Sequence, residues 1–301
     1  EFVSINTKLL VKLEDELLLF TGAVRAIERI RANGLPMTRP RVSESKERRA
    51  SIRGLYNINL AIHSIPANPA KTMDPGNIIV GNDLSLDDDG RIIILTGPNR
   101  GGKTTFLQAA GLAQILLQAG LYVPATEAEM SISDNVFTHY PAVENLEKGT
   151  GRFGEEVQRL HSIFDKATRD SLLLFNESLS STSVGEGLYL AEDMMRVLRI
   201  MGARVIFTTH MHALAGKVDA INADTEGESA LMSMVAMIET TEAKEDAGKG
   251  SDYHIRPTFR IVPGPPMGQS YALDIAYRYG ISREQLLSRL AERGVVKDNG
   301  D

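Results

Sequence analysis

The stretch Arg91-Ile92-Ile93-Ile94-Leu95-Thr96-Gly97-Pro98-Asn99-Arg100-Gly101-Gly102-Lys103-Thr104-Thr105 decides the fold. Its β-branched apolar run reads as a buried strand that stops at Gly97. Gly97 to Thr104 then follows G-x-x-x-x-G-K-[ST], the pattern of a phosphate-cradling P-loop. The glycines let successive backbone N–H groups turn inward around an anion, Lys103 carries the charge that neutralises β- and γ-phosphate oxygens, and the Thr104 hydroxyl is suited to ligating Mg²⁺. Pro98, Asn99, Arg100, Gly101, Gly102 and Thr105 complete the candidate nucleotide contacts. From Thr104 to about Ala119 the chain has a helical pattern, with Leu107, Ala110, Leu112, Ile115 and Leu116 mostly on one face. The strand before and the helix after are the context that a nucleotide site requires.

Downstream, Ser171-Leu172-Leu173-Leu174-Phe175 is a second buried strand, ending in Asn176-Glu177. In P-loop enzymes a strand ending in two acids is the Walker B element, whose first acid serves the Mg²⁺ shell and whose second polarises the attacking water. Glu177 fits the second role. Asn176 keeps a carbonyl oxygen for the metal shell but lacks the charge of aspartate, which predicts weaker metal binding and slower turnover. Ser178 to Ser183 lead into a helix expected from about Gly187 to Met201. Their hydroxyls either cap that helix or, at its positive dipole end, contact an anion. Ala203 to Thr209 form the next strand, ending at His210. That histidine is placed to sense a γ-phosphate, to cap, or to form a metal pair with His212, for which no third ligand is evident.

Taken in order, Gly97 to Thr105, Leu172 to Ser183 and Phe207 to His212 resemble the ATPase domain of the MutS family, an ABC-like ATPase of DNA mismatch repair and related pathways. The resemblance covers about residues 55 to 295. It implies an α/β P-loop ABC-like fold with a central mixed sheet flanked by helices, and ATP and Mg²⁺ as cofactors. It also implies a homodimer in which each protomer presents its serine element, here Ser181-Thr182-Ser183, to the nucleotide of the other. In this element serine stands where the family has glycine. Arg152, Phe153 and Glu156 fall in a segment that the family conserves between its two Walker elements, although the family's local serine pattern is missing. Met267 to Leu273 resemble the family's closing Ser-Tyr-x-Leu helix. Together with a helix from Ser282 to about Arg293 they form either a dimer element or an ordinary terminal hairpin.

The remaining sequence sets the surroundings. Leu10, Leu13, Leu17, Phe20, Val24 and Ile27 make a heptad-like seam on a helix that ends at Asn33-Gly34-Leu35-Pro36. It reads as a core helix of a small helical subdomain or as a lever arm. Residues 37 to 53 mix bases with acids and are expected to be a solvated linker rather than a nucleic-acid patch. The domain reading is therefore a helical connector or lever remnant with its linker over 1–53 and a MutS-like ATPase domain over 54–301. Gly54 to Ile62 reads as a short strand or turn, and an irregular loop with Pro66, Pro69, Pro75 and Gly76 runs to Ile78. Ile78 to Val80 and Asp83 to Leu86 read as strands around a Gly81-Asn82 turn, Ile79 being a candidate adenine contact or plain core. Glu144 to Gly154 is expected to be a loop, and Glu239 to Asp252 a charged loop between two strands.

With 301 residues and 43% hydrophobic content, the chain can bury one substantial α/β core. It has no cysteine, which excludes disulfides and thiolate metal sites, and no apolar run approaches the roughly 20 residues that span a bilayer. A cytoplasmic setting is the expectation. The start at Glu1-Phe2, without methionine and inside a helical pattern, reads as a fragment. The net charge of −6 argues against a strong grip on a nucleic-acid backbone, so DNA contact is expected through missing N-terminal regions. The functional expectation is Mg²⁺-dependent ATP hydrolysis driving a dimer switch in mismatch repair or recombination. The alternative is an ATP-binding assembly module with little hydrolysis and no direct DNA role.

Overall fold

The computed structural model describes residues 2–66, 79–142, 151–242, 253–266 and 279–295, and shows an α/β fold with two mixed sheets. The expected Pro69-to-Ile78 loop, most of the Glu144-to-Gly154 loop and the Met267-to-Leu273 helix lie outside these residues. Helix α1 (Phe2–Ala32) comes first. It is followed by β1 (Arg41–Ser43), β2 (Ala50–Leu55), α2 (Ile58–Ser64), β3 (Asn82–Leu86), β4 (Ile92–Thr96) and α3 (Lys103–Gln118). Then come β5 (Glu127–Ser131), β6 (Val136–His139), α4 (Gly151–Phe164), β7 (Leu172–Asn176), α5 (Val184–Met201) and β8 (Arg204–Thr208). The short helices α6 (His212–Ala215) and α7 (Val218–Asp224) lead to the hairpin β9 (Leu231–Glu242) and β10 (Tyr253–Pro263), and a helix over Arg283–Glu292 closes the described chain.

The larger sheet has the order β10-β9-β4-β8-β7-β6. Its strands run parallel from β9 through β6, and β10 returns antiparallel to β9. Strands β4, β7 and β8 are buried along their whole length, as parallel strands covered on both faces must be. Their alternation divides the core. Ile93, Leu95, Leu172, Leu174 and Ile206 face α3, whereas Ile92, Ile94, Leu173, Phe175, Val205 and Phe207 face a second core that includes Leu160, Ile163, Ala191, Met195 and Leu198 from α4 and α5. Helix α3 lies close to β7: a Cβ on Gly111 would stand 2.6 Å from the Leu174 side chain.

The smaller sheet, β1-β5-β2-β3, corrects the expectation of a solvated linker over 37–53. Ala50, Ile52 and Leu55 turn inward onto the α3 core. Two of the arginines that look like linker composition face outward on this sheet instead. Arg49 pairs with Glu129 and Arg53 with Glu127, each at 3.6 Å across β2 and β5, and the Ser43 hydroxyl donates to Glu129 at 3.0 Å. Gly54 to Ile62 is likewise more than a turn. The strand ends at Leu55, and α2 starts behind Asn57, whose side chain accepts from the N–H groups of Asn59 and Leu60. Strand β3 begins at Asn82 itself, with Ile79 and Val80 irregular, and α4 begins at Gly151, inside the expected loop. Strand β9 continues through Glu242, beyond the expected strand end.

Two buried polar groups tie these layers together. The Asn57 amide donates to the Thr105 carbonyl and to Gln108, both at 3.2 Å, which joins the start of α2 to α3. Arg204, wholly buried at the start of β8, donates to the carbonyls of Ser131 at 3.0 Å and of Ile132 and Asp170 at 3.4 Å. Burial pushes its guanidinium down to about 10. Among the described residues the α1 seam is uncovered: Leu13, Leu17, Phe20 and Val24 are exposed, whereas Ile27 and Ile30 join the small core around α2. It is therefore not the core of a helical subdomain among the described residues. The Leu10 side chain lies outside what is described.

Candidate functional site

The loop between β4 and α3 follows from its glycines. Gly97 at φ 136° and Gly102 at φ 95° use backbone conformations that side chains disfavour, and a Cβ on Gly97 would stand 2.8 Å from that of Ala236 on β9. Arg100 is also left-handed, at φ 62°, and is exposed beside Asn99. Pro98 is half-buried, and its carbonyl accepts from the Gly101 N–H at 3.2 Å. The loop thereby delivers the first N–H groups of α3, and the positive end of its dipole, to one point.

Lys103 lies under that point, 5% exposed, and its Nζ donates to the carbonyls of Gly97 at 2.9 Å and Pro98 at 3.2 Å. The carboxylate of Glu177, at the carboxyl end of β7, is 3.6 Å from the same Nζ and 3.1 Å from Nε2 of His210, which follows β8. Burial lowers the Lys103 pKa, and Glu177 opposes that. Burial also pushes the Glu177 carboxyl up. The hydrogen bond and charge of His210, together with the charge of Lys103, outweigh burial and hold that carboxyl below the usual range. Glu177 is thus ionised and oriented at neutral pH.

Asn176 occupies the floor, 7% exposed. Its amide oxygen accepts from the hydroxyls of Thr104 at 2.8 Å and Thr208 at 3.0 Å. Three segments distant in sequence therefore converge on the end of α3. The serine element sits differently. The Ser181 hydroxyl donates to Glu156, whereas Thr182 and Ser183 each donate to Glu186 at 2.7 Å, Ser183 capping α5. Its bonds within this chain are to α4 and α5 rather than to the glycine loop.

Beside the loop is a cavity of about 380 Å³, lined among others by Tyr56, Ile79, Thr105, Phe106 and Phe259. Ile79 is thus at a cavity wall next to Gly102 rather than sealed in the core. Phe259 and Tyr56 have no local sequence signal for this place. Phe259 reaches it through an irregularity in the β9/β10 register, at φ 59°, with the Asn82 amide donating to its carbonyl at 3.0 Å. Sequence reasoning also leaves His139 unassigned. Its Nδ1 is 2.6 Å from the Ser178 hydroxyl, and burial, followed by the charge of Arg159, lowers it to about 4 against an opposing effect of Glu156.

The family model described as MutS domain V matches residues 93–276, from β4 through β7, β8 and the hairpin. This chain belongs to the MutS family. The match is to the family's ATPase domain. Among relatives, the DNA mismatch repair protein MutS of Chlorobium phaeobacteroides is 40% identical over 154 residues, covering 51% of this chain and 17% of the relative. The Endonuclease MutS2 of Thermus thermophilus is 32% identical over 208 residues, covering 69% of this chain and 25% of the relative. The DNA mismatch repair protein MutS of Lactobacillus delbrueckii subsp. bulgaricus is 31% identical over 232 residues, covering 75% and 25%. This MutS-family chain therefore spans between 17% and 25% of the length of these relatives. No helix among the described residues is long and apolar enough to cross a membrane.

Proposed function

We propose that this chain is a P-loop ABC-like module that binds ATP with Mg²⁺ and hydrolyses it, as part of a cytoplasmic protein of DNA mismatch repair or recombination. The observation that carries the reading is the convergence of Lys103, at 3.6 Å, and His210, at 3.1 Å, on the carboxylate of Glu177 at the amino end of α3. Loop N–H groups and Lys103 take the phosphates. Glu177 holds the attacking water by accepting its proton, and His210, bonded to Glu177, stands where a terminal phosphate is sensed. The cavity beside Gly102 takes the base between apolar walls that include Ile79 and Phe259.

The donor set fits a hard cation. Thr104 and Asn176 bring a hydroxyl and an amide oxygen together at 2.8 Å, both of the oxygen type that Mg²⁺ prefers. Those two residues would hold it, and when bound it supplies charge neutralisation at the phosphates. Ser181, Thr182 and Ser183 face a second protomer in a nucleotide-bridged homodimer, while α1 serves as the connector and DNA is met through other regions of the longer protein. One observation favours the alternative of an assembly module with little hydrolysis: the amide of Asn176 is neutral, and Thr104 and Thr208 already occupy its oxygen.

Titration with a fluorescent ATP analogue, phosphate release and light scattering separate these readings. Lys103→Ala should lose nucleotide binding through loss of charge-assisted hydrogen bonds. Glu177→Gln should bind ATP, fail to release phosphate and accumulate a dimer. Unchanged affinity in Lys103→Ala overturns the phosphate site, and a dimer without phosphate release in the unaltered chain selects the assembly module.

A further inference from the structure

The turn after β7 has two side-chain-bearing residues in the left-handed region, Glu177 at φ 50° and Leu179 at φ 62°. Such a conformation persists only where its surroundings hold it. Three elements do so here. The Glu177 N–H donates to the Thr208 carbonyl of β8 at 2.9 Å, and Ser178 meets His139 of β6. From α4, Glu156 uses both carboxylate oxygens on the turn. Oε1 accepts from the Leu179 N–H at 2.7 Å, and Oε2 accepts from the Ser181 hydroxyl.

Glu156 is 4% exposed, on a helix whose other buried residues, Leu160 and Ile163, are apolar. A buried carboxylate is costly unless hydrogen-bonded, and its two bonds are both spent on the segment that joins Glu177 to the serine element. We propose that Glu156 is a positioning residue for ATP hydrolysis: by clamping Leu179 and Ser181 it sets the direction of Glu177 and the exit of the serine element toward α5. This rests on the ATPase reading. It also makes the seating of α4 a condition for catalysis, because the clamp ties that helix to the turn by hydrogen bonds.

The test uses the whole chain and the variants Glu156→Ala, Glu156→Gln and Glu156→Asp. Single-turnover phosphate release, divided by the amount of nucleotide bound, is read beside amide exchange at Leu179 in the nucleotide-free protein. Glutamine keeps the length and one carbonyl acceptor, and its amide can donate to a rotated Ser181 hydroxyl, so its rate should stay within about fivefold of the unaltered chain. Alanine and aspartate cannot span both contacts. Their rate per bound nucleotide should fall about a hundredfold, in line with the effect of a misplacement near 1 Å. Leu179 exchange should quicken, and nucleotide affinity should hold within about threefold. A merely structural role would lower the folded fraction and leave the rate per bound nucleotide unmoved. That result in the aspartate or alanine form overturns the assignment alone. If alanine does not fold, the contrast between glutamine and aspartate decides. Absence of phosphate release from the unaltered chain overturns the ATPase reading and the assignment with it.

Discussion

Gly187 lies in the first turns of α5, where the helix passes over the turn that carries Glu177, and replacing it with alanine tests how tightly that turn is packed. A Cβ built there stands 2.6 Å from the Leu179 carbonyl oxygen. Close carbon-to-oxygen contacts begin near about 3.3 Å, so the added methyl requires a displacement of roughly 0.7 Å. Leu179 has little room to yield: its side chain is 5% exposed, its φ is 62°, and its N–H is held by Glu156. Helix propensity favours alanine by up to about 1 kcal/mol, and overpacking costs about 1–3 kcal/mol, which leaves a net loss of about 0–2 kcal/mol. The effect on hydrolysis should be larger, approaching a hundredfold, because the displaced turn carries Glu177. Gly185 is the internal control. It lies in the same helix with nothing within 4 Å of a built Cβ, so Gly185→Ala should be neutral or stabilising by up to about 1 kcal/mol with unchanged hydrolysis. Urea unfolding gives the stabilities, and single-turnover phosphate release at saturating ATP gives the rates. If both alanine variants hydrolyse ATP at the wild-type rate, the turn is not tightly coupled to α5 and the reasoning fails.

Asn176→Asp should keep accepting from Thr104 and Thr208 while adding a charge beside the cation site, so half-maximal activity should need less Mg²⁺ at constant ionic strength; an equal or greater requirement would remove Asn176 from the metal shell. His139 gives a pH signature. Its folded pKa is depressed to about 4, so the stability linked to its neutral form is complete above its ordinary value near 6.5 and is lost as pH falls toward 4. Replacing it with glutamine, which does not titrate, should therefore flatten acid destabilisation by on the order of 3 kcal/mol between pH 7 and pH 4, and parallel urea midpoints for the two proteins across that range would exclude the effect. Arg204→Leu removes the donor that ties β5 and the loop before β7 to β8, leaves the Ser131 carbonyl and its neighbours without it, and should cost about 3 kcal/mol or more in urea unfolding; a loss below 1 kcal/mol would mean that water replaces the arginine.

The glycine loop, the strand into Asn176-Glu177 and the strand into His210 were legible because each carries its signal within a dozen residues. A fully apolar run identifies a strand buried on both faces, and the polar residues at its end mark where chemistry can occur. Glycines at left-handed positions and a lysine at the start of a helix need no distant partner to be recognised. The smaller sheet was not legible in the same way. Strands β1 and β2 face water on one side, so their arginines, with Glu44 and Glu47 between the strands, read as a linker until β5 supplies the cross-strand partners.

Sequence alone therefore determined the order of the site elements and the chemical type of each candidate residue. Tertiary structure decided how they are joined. It placed the Asn176 oxygen between Thr104 and Thr208, which no spacing rule states. It brought Ile79 and Phe259 to the same cavity wall, and it set Glu156, on a helix of mostly polar residues, against the turn after β7. The physical reason is that hydrophobic periodicity reports which face of an element is buried, whereas a hydrogen bond between elements depends on register, crossing and close approach to within a few tenths of an ångström. Those quantities are settled only when the sheets and helices pack.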